Sequence, residues 1–268
     1  MIFLNGHLQT FPKFPDGTSA VKVNPDHINN ADYTTNRISW FYDSDEELIQ
    51  LWYLNKHIRE VSDQRVDLRM PYIPNARMDR CKEPEDVHTL RYFTDLINAM
   101  NFHEVTVLDP HSDVSTALLN RVNLALPDDM IQSVINGLED DNLLVCYPDN
   151  GSAKRYSDMI EAEYVFGIKH RDWKTGKITG LELSDSKKPS NRNVLIVDDI
   201  CSRGGTFFHT ANKLKECGAK NVYLYVSHCE NTIHDGELLN GDLITHIWTT
   251  NSIYRRAHDK ISVFHLEV

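Results

Sequence analysis

No hydrophobic run in the sequence approaches the roughly 20 apolar residues that a membrane-spanning helix needs. The opening stretch, Met1 to Phe14, lacks the layout of a secretory signal. A cytoplasmic location and no membrane partner are therefore expected. The five cysteines, Cys81, Cys146, Cys201, Cys217 and Cys229, include no Cys-x-x-Cys pair. They read as reduced thiols, not as a disulfide frame or a zinc site. Basic residues are scarce: 28 Lys and Arg face 39 Asp and Glu, for a net charge of −11. That balance speaks against nucleic acid as a partner, because nucleic-acid binders carry a basic stripe. Tandem repeats and low-complexity tracts are also missing.

What is present is ordinary for a soluble globular protein, with 268 residues, 41% hydrophobic and 25% charged. The length is enough for two domains of usual size. Arg37 to Tyr42 reads as a strand, and Ser44 with Glu47 forms a capping-box pattern. Leu48, Leu51, Trp52 and Ile58 then recur at helical spacing over roughly residues 45–60. Val66 to Met70 is a strand, Val87 to Met100 a helix, and Glu104 to Leu108 a strand. After an acidic, loop-like stretch from Gly137 to Asn142, the pattern restarts. Leu143 to Tyr147 and Val194 to Val197 are strands, Phe207 to Cys217 is a helix closed by Gly218, and Asn221 to Ser227 is a strand. The polar stretch Asp172 to Arg192 reads as an exposed hairpin or mobile loop. This grammar predicts an α/β fold of two Rossmann-like domains, each with a mostly parallel central sheet. The division falls between residues 1–138 and 139–268.

The strongest local signal is Val194 to Thr206, read as VLIVDDICSRGGT and followed by a helix. A buried strand carries Asp198 and Asp199 to its carboxyl end, where ligands bind in open α/β sheets. Gly204 and Gly205 let backbone N–H groups turn inward at a helix start, which favours an anion. Paired acids ahead of such a cradle suit a ribose phosphate, with the acids on the 2′- and 3′-hydroxyls. An ordinary strand-to-helix turn with solvated acids is the plain alternative.

The cassette Asp198, Asp199, Ser202, Arg203, Gly204, Gly205 and Thr206 resembles the phosphoribosyl diphosphate loop of type I phosphoribosyltransferases and phosphoribosyl diphosphate synthetases. Two more motifs are similar to the synthetases alone. Pro71-Tyr72 with Ala76, Arg77, Met78, Asp79 and Arg80 resembles their ATP-binding stretch. Phe14, Asp16, Gly17 and Thr18 resemble the loop that reaches the adenine across a subunit interface. The resemblance extends from Phe14 to the final strand. It implies a magnesium-dependent transfer of the β,γ-diphosphate of ATP to the C1 hydroxyl of ribose 5-phosphate, in a dimer or larger homo-oligomer. It also implies His111 and Asp149 near the metal, and Lys169 and Arg171 as catalytic residues at the base of a loop that excludes water. Taken singly, His111 reads as a structural histidine, Lys169 and Arg171 as a solvated basic pair, Phe14 as core, and Arg77, Asp79 and Arg80 as a surface ion-pair cluster.

Departures from the family pattern bear on the acceptor. Ser202 and Arg203 replace its Asp-Thr, removing one negative charge and adding one positive beside the group at the sugar's 5′ position. A 5′-diphosphate such as ADP-ribose, on a route to NAD, is the alternative acceptor. Thr18 replaces a glutamate of the adenine loop. The family's first and last helices are expected to be missing, as is the basic character of its regulatory site after Arg80, which puts regulation and hexamer assembly in doubt. A phosphoribosyltransferase and a non-catalytic regulatory relative are the remoter readings.

Overall fold

β-Branched and aromatic runs of four to eight residues build two sheets, each buried by the apolar faces of its helices. The computed structural model describes residues 1–28, 34–171 and 178–268, without the side chains of 169–171, 178 and 179. Two units emerge, Met1–Leu126 with Glu267–Val268, and Pro127–Leu266.

The first unit contains, in order, β1 (Ile2–Leu4), β2 (His7–Leu8), β3 (Thr35–Trp40), α1 (Glu46–Val61), β4 (Arg65–Arg69), α2 (Thr89–Ala99), β5 (Val105–Leu108), α3 (Asp113–Leu118) and β6 (Val122–Ala125). Its sheet order is β2-β1-β3-β4-β5-β6, parallel from β3 to β6, with β1 antiparallel to both neighbours. Val66 and Leu68 of β4 alternate inward and pack with Leu51, Leu54 and Ile58 of α1 and with Leu90, Phe93 and Ile97 of α2. Fully burying each such side chain contributes roughly 1.5–3 kcal/mol.

The second unit follows with α4 (Asp128–Gly137), β7 (Leu144–Tyr147), α5 (Asn150–Tyr156), β8 (Tyr164–Arg171), β9 (Ile178–Leu183), β10 (Val194–Cys201), α6 (Gly205–Glu216), β11 (Val222–Cys229), β12 (His246–Thr250) and β13 (Ile261–Phe264). The sheet order is β13-β12-β11-β10-β7-β8-β9, parallel except for the β8–β9 hairpin. That hairpin occupies part of the stretch read as a hairpin or loop; residues 172–177 lie outside the described residues. Val194 and Ile196 of β10 pack on one face with Phe207, Ala211 and Leu214 of α6. Leu195 and Val197 pack on the other with Tyr156 of α5 and Ile131 and Val134 of α4. A strand buried on both faces reads as an unbroken apolar run.

Two differences from the sequence reading have physical causes. The units divide at Leu126 and Pro127, one helix earlier than the expected 138/139 boundary, because Ile131 and Val134 of α4 join the second unit's core. β10 also runs three residues beyond Asp198, to Cys201, pairing Asp198 with Val226, Ile200 with His228 and Cys201 with Cys229 of β11. Its pairing with β7 ends earlier, at Ile196 with Cys146. The acid pair therefore lies within the strand, beside a neighbour that has already ended.

Candidate active site

In the first unit the expected residues cluster at strand ends. Phe14, 56% exposed, sits on a turn closed by Phe14 N–H donating to Thr18 O and Gly17 N–H donating to Phe14 O, both at 2.8 Å. Gly17 has φ +86°, a conformation that glycine adopts without strain. Thr18 donates its backbone N–H and its hydroxyl to Asp16 Oδ1 at 3.0 and 2.7 Å, which lowers the Asp16 carboxyl below its ordinary pKa. Lys13 joins this turn to Glu46, at the start of α1, at 2.8 Å.

The Pro71–Arg80 segment leaves the carboxyl end of β4, and Asp109 to His111 leaves that of β5. Leu108 N–H donates to Pro71 O at 3.1 Å and ties the two together. Ile73 and Ala76 anchor the first segment in the core, leaving Arg77 and Arg80 exposed and Met78 and Asp79 half-buried. Arg80 Nε lies 3.8 Å from Asp79, a loose contact at a 75%-exposed side chain that adds little stability. Asp109 is buried in the left-handed region at φ +39°, and Asn75 is there at φ +62°. Such backbone persists only where its surroundings impose it. His111 is half-buried.

The second unit supplies a denser constellation. β8 lies on one side of β7 and β10 on the other, so the strand order reverses at the β7/β10 boundary. In open α/β sheets that boundary is where ligands bind. Asp149, at the end of β7, caps α5, accepting from Gly151 N–H at 3.0 Å and Ser152 N–H at 3.2 Å. A Cβ on Gly167 of β8 would lie 2.5 Å from Pro148 O, so the chain approaches this corner as closely as glycine permits.

Ser152 Oγ donates to Asp198 Oδ1 at 2.7 Å, and Arg155 Nη1 lies 3.4 Å from Asp199 Oδ2. Burial and the neighbouring Asp199 carboxylate push the Asp198 carboxyl up to about 8, with Asp149 adding to the effect. Beyond Cys201, Ser202 Oγ lies 3.2 Å from Thr232 Oγ1. Gly204 adopts φ +80°, and a Cβ there would come within 2.9 Å of Leu238. Gly205 faces open space and starts α6, whose first amides have no intrahelical partner. The arrangement can hold a diol against Asp198 and Asp199, and an anion on the amides of Gly205 and Thr206.

Comparison with known proteins agrees with this geometry. The phosphoribosyl transferase domain family matches residues 148–241, from the β7 corner past the cradle. The chain is 26% identical over 245 residues to the ribose-phosphate pyrophosphokinase of Sulfurisphaera tokodaii, spanning 90% of this chain and 82% of that protein. It is 29% identical over 224 residues to the Thermococcus kodakarensis protein of the same name, spanning 81% and 75%. The fold matches a phosphoribosylpyrophosphate synthetase crystal structure from Mycobacterium smegmatis with a TM-score of 0.77 at 17% identity, over 96% of this chain and 86% of that one. The chain is similar to the ribose-phosphate pyrophosphokinase family over most of its length.

These relatives indicate an enzyme of the diphosphokinase transferase type. The structure brings Asp149, Asp198 and Asp199 to one corner, with Ser202 to Thr206 leading from it into α6. The segments bearing Arg77 and His111 meet at one edge of the first sheet. Lys169 and Arg171 lie in β8, with side chains outside the described residues. Ser152 and Arg155 are absent from the sequence reading. The one signal that could have found them is their position three and six residues after Asp149, on a helix that the cap starts beside the acid pair. No cluster of three His, Cys, Asp or Glu side chains able to hold a metal occurs among the described residues.

The raised Asp198 carboxyl makes a stability prediction. Folded protein keeps a proton there that the unfolded chain loses above about pH 4, so stability should fall between about pH 4 and about 8 and level off beyond. Asp198→Asn removes that charge and keeps an acceptor for Ser152. Urea denaturation should find the variant about 0.5–2 kcal/mol more stable than wild type at pH 8.5, with the gain shrinking towards pH 5. An equal gain at both pH values would refute a strained charge.

Proposed function

We propose that the enzyme transfers the β,γ-diphosphate of ATP to the C1 hydroxyl of ribose 5-phosphate, releasing AMP and phosphoribosyl diphosphate. One observation carries this reading: a diol-and-anion corner at Asp198–Thr206 shares its chain with a second, nucleotide-type edge at Pro71–Arg80. A phosphoribosyltransferase needs only the first of these. The C1 oxygen attacks the β-phosphorus, the bond to the α-phosphate oxygen breaks, and the hydroxyl proton is released. Positioning and charge neutralisation supply most of the catalysis of such a transfer.

Asp198 and Asp199 hold the ribose hydroxyls, and the amides of Gly205 and Thr206 hold the 5-phosphate. Arg77, Asp79 and Arg80, with Met78, serve ATP, and Lys169 and Arg171 balance charge on the moving diphosphate. Magnesium fits the second unit, because that ion is commonly held by one or two carboxylates plus substrate phosphates. Asp149 offers such a carboxylate in a corner where burial and neighbouring negative charge raise the Asp198 carboxyl. When bound, the ion would neutralise diphosphate charge; His111 is assigned to it on the family resemblance alone. Retention of all these groups argues against a non-catalytic relative. A cytoplasmic location is proposed as well, and no helix of the described residues is long and apolar enough to cross a membrane.

AMP formation from ATP and ribose 5-phosphate tests the reading, and its absence with every 5-phosphorylated ribose would overturn it. In that assay Lys169→Ala should lower turnover at least about 100-fold with an unchanged circular dichroism spectrum. Retention of most activity would remove the lysine from the mechanism.

Exposure of Phe14 on a self-contained turn supports its reaching the adenine site of a second copy. The active species is then at least a dimer, and specific activity should fall on dilution. A fully active monomer by light scattering would end the shared site.

A second acceptor, ADP-ribose, is favoured by Arg203, which is exposed beside Gly204 and makes no hydrogen bond or ion pair among the described residues. An arginine–phosphate contact is stronger than a neutral hydrogen bond. Arg203→Thr should then raise KM for ADP-ribose about tenfold or more and leave KM for ribose 5-phosphate nearly unchanged. Equal changes for both sugars would count the arginine as drift.

A further inference from the structure

Three loops leave the carboxyl ends of β10, β11 and β12 side by side, covering residues 202–204, 230–238 and 251–258. They are knitted together. A Cβ on Gly236 would lie 2.0 Å from Arg203 O, so the second loop rests directly on the first. Arg255 N–H donates to Asn231 Oδ1 at 3.0 Å, and its guanidinium donates to the carbonyls of Tyr254 and Ser252 at 3.1 Å, which ties the third loop to the second. Ile233, Leu238 and Tyr254 anchor this assembly in the core.

On that base stand groups that the transfer to ribose 5-phosphate does not use. The His234 and Tyr254 rings are nearly parallel with centroids 6.0 Å apart, and His234 Nε2 lies 3.0 Å from the tyrosine hydroxyl. His258 packs edge-on to His234 at 5.7 Å. Lys260 N–H donates to His258 Nδ1 at 3.1 Å, so the neutral ring carries its proton on Nε2, free to donate. Arg256 is exposed and, like Arg203, makes no hydrogen bond or ion pair among the described residues. Two uncommitted arginines on one edge are notable in a chain with 39 acids and 28 bases. Glu230, Asp235 and Glu237 are the acids of the second loop, the last two exposed, and the exposed Asp259 follows the third. At His234 burial, helped by the field of Arg256 and His258 against that of Asp235, lowers the imidazole below its ordinary pKa.

The sheet order fixes a direction. On the proposed function, C1 chemistry faces β7 and the 5-phosphate lies at the start of α6; the β11 and β12 loops lie on the far side of β10 from β7. We infer that Arg256, His258 and His234, continuing from Arg203, form a subsite for the second phosphate and the nucleoside of a ribose 5′-diphosphate ester. The inference rests on the proposed reading of the Gly204–Thr206 loop as a 5-phosphate cradle. The two arginines and the His258 Nε2–H serve the second phosphate, and the half-buried His234 ring, held from behind by the buried Tyr254, offers a flat surface to a base.

Titration calorimetry of ADP-ribose and of ribose 5-phosphate tests the subsite on wild type, Arg256→Ala and His258→Gln. Wild type should bind ADP-ribose the more tightly of the two. Arg256→Ala should weaken ADP-ribose about tenfold or more, His258→Gln should weaken it less, and both should keep ribose 5-phosphate within about twofold. Equal losses for the two sugars, unchanged ADP-ribose affinity in both variants, or a wild-type preference for ribose 5-phosphate would overturn the subsite. AMP release measured alongside separates the readings: Arg256-dependent ADP-ribose binding without AMP from either sugar supports the subsite and removes the proposed transfer.

Discussion

Negative charge collected at the β7/β10 corner is the constraint on which the second unit depends. Asp149, Asp198 and Asp199 act on one another there, and the acid pair sits inside β10 instead of on a solvated turn. Burying an ionised carboxylate costs several kcal/mol after relaxation. The Ser152 hydroxyl returns about 1.5–3 kcal/mol as a bond to a charged group. Arg155 lies nearer to Asp199 than to ideal pairing, at 3.4 Å, so it offsets part of one charge. Protonation of Asp198 closes the difference, which makes the corner a place where donors or cations brought by a substrate are worth more than they are in water.

Much of this corner was legible because its chemistry is carried by residue types that have few other uses. Paired acids after VLIV, followed by Gly-Gly-Thr, leave few ordinary explanations, and the motifs around Phe14, Arg77 and Asp149 fixed which family they resemble. The length of β10 was not legible: Ile200 and Cys201 pair only with β11, and their sequence looks like a loop between acids and glycines. Ser152 and Arg155 were hidden for a similar reason. Their seven-residue helix is too short to show a full amphipathic pattern, and its start depends on a cap that sequence reads as a turn. The place of α4 was hidden because Ile131 and Val134, with Met130 and Ile135 beside them, pack against partners far away in sequence.

Three of the positive-φ residues follow the carboxyl ends of strands that lead into candidate site residues. Asn75 and Asp109, both at positive φ, stand at the carboxyl ends of β4 and β5, and Gly204 stands at that of β10. The two cases differ. Gly204 takes φ +80° without penalty but must also lie against Leu238, so both its conformation and its size are used. Asp109 pays a conformational cost that its burial and its N–H bond to Ala125 O at 3.1 Å must hold in place. Segments aimed by core anchors such as Ile73 and Ala76 can be held in this way; a solvated loop could not be.

The net charge of −11 does not decide what the protein binds. At physiological ionic strength the field of an exposed charge is largely screened beyond about 8 Å. A polyanion at the Gly204–Thr206 cradle therefore responds to helix amides and to the few side chains within that radius, not to the surface as a whole. This gives small loop changes their leverage. Ser202 in place of an acid deletes a charge and spends its hydroxyl on Thr232, while Arg203 adds a cation beside Gly204, which the contact of its carbonyl with Gly236 holds in position. Two adjacent residues thus shift the local field by two units without disturbing the acid pair before them. On the proposed function, acceptor choice can in this way diverge along the 5′ direction while the C1 chemistry proposed at β7 and β10 stays as it is.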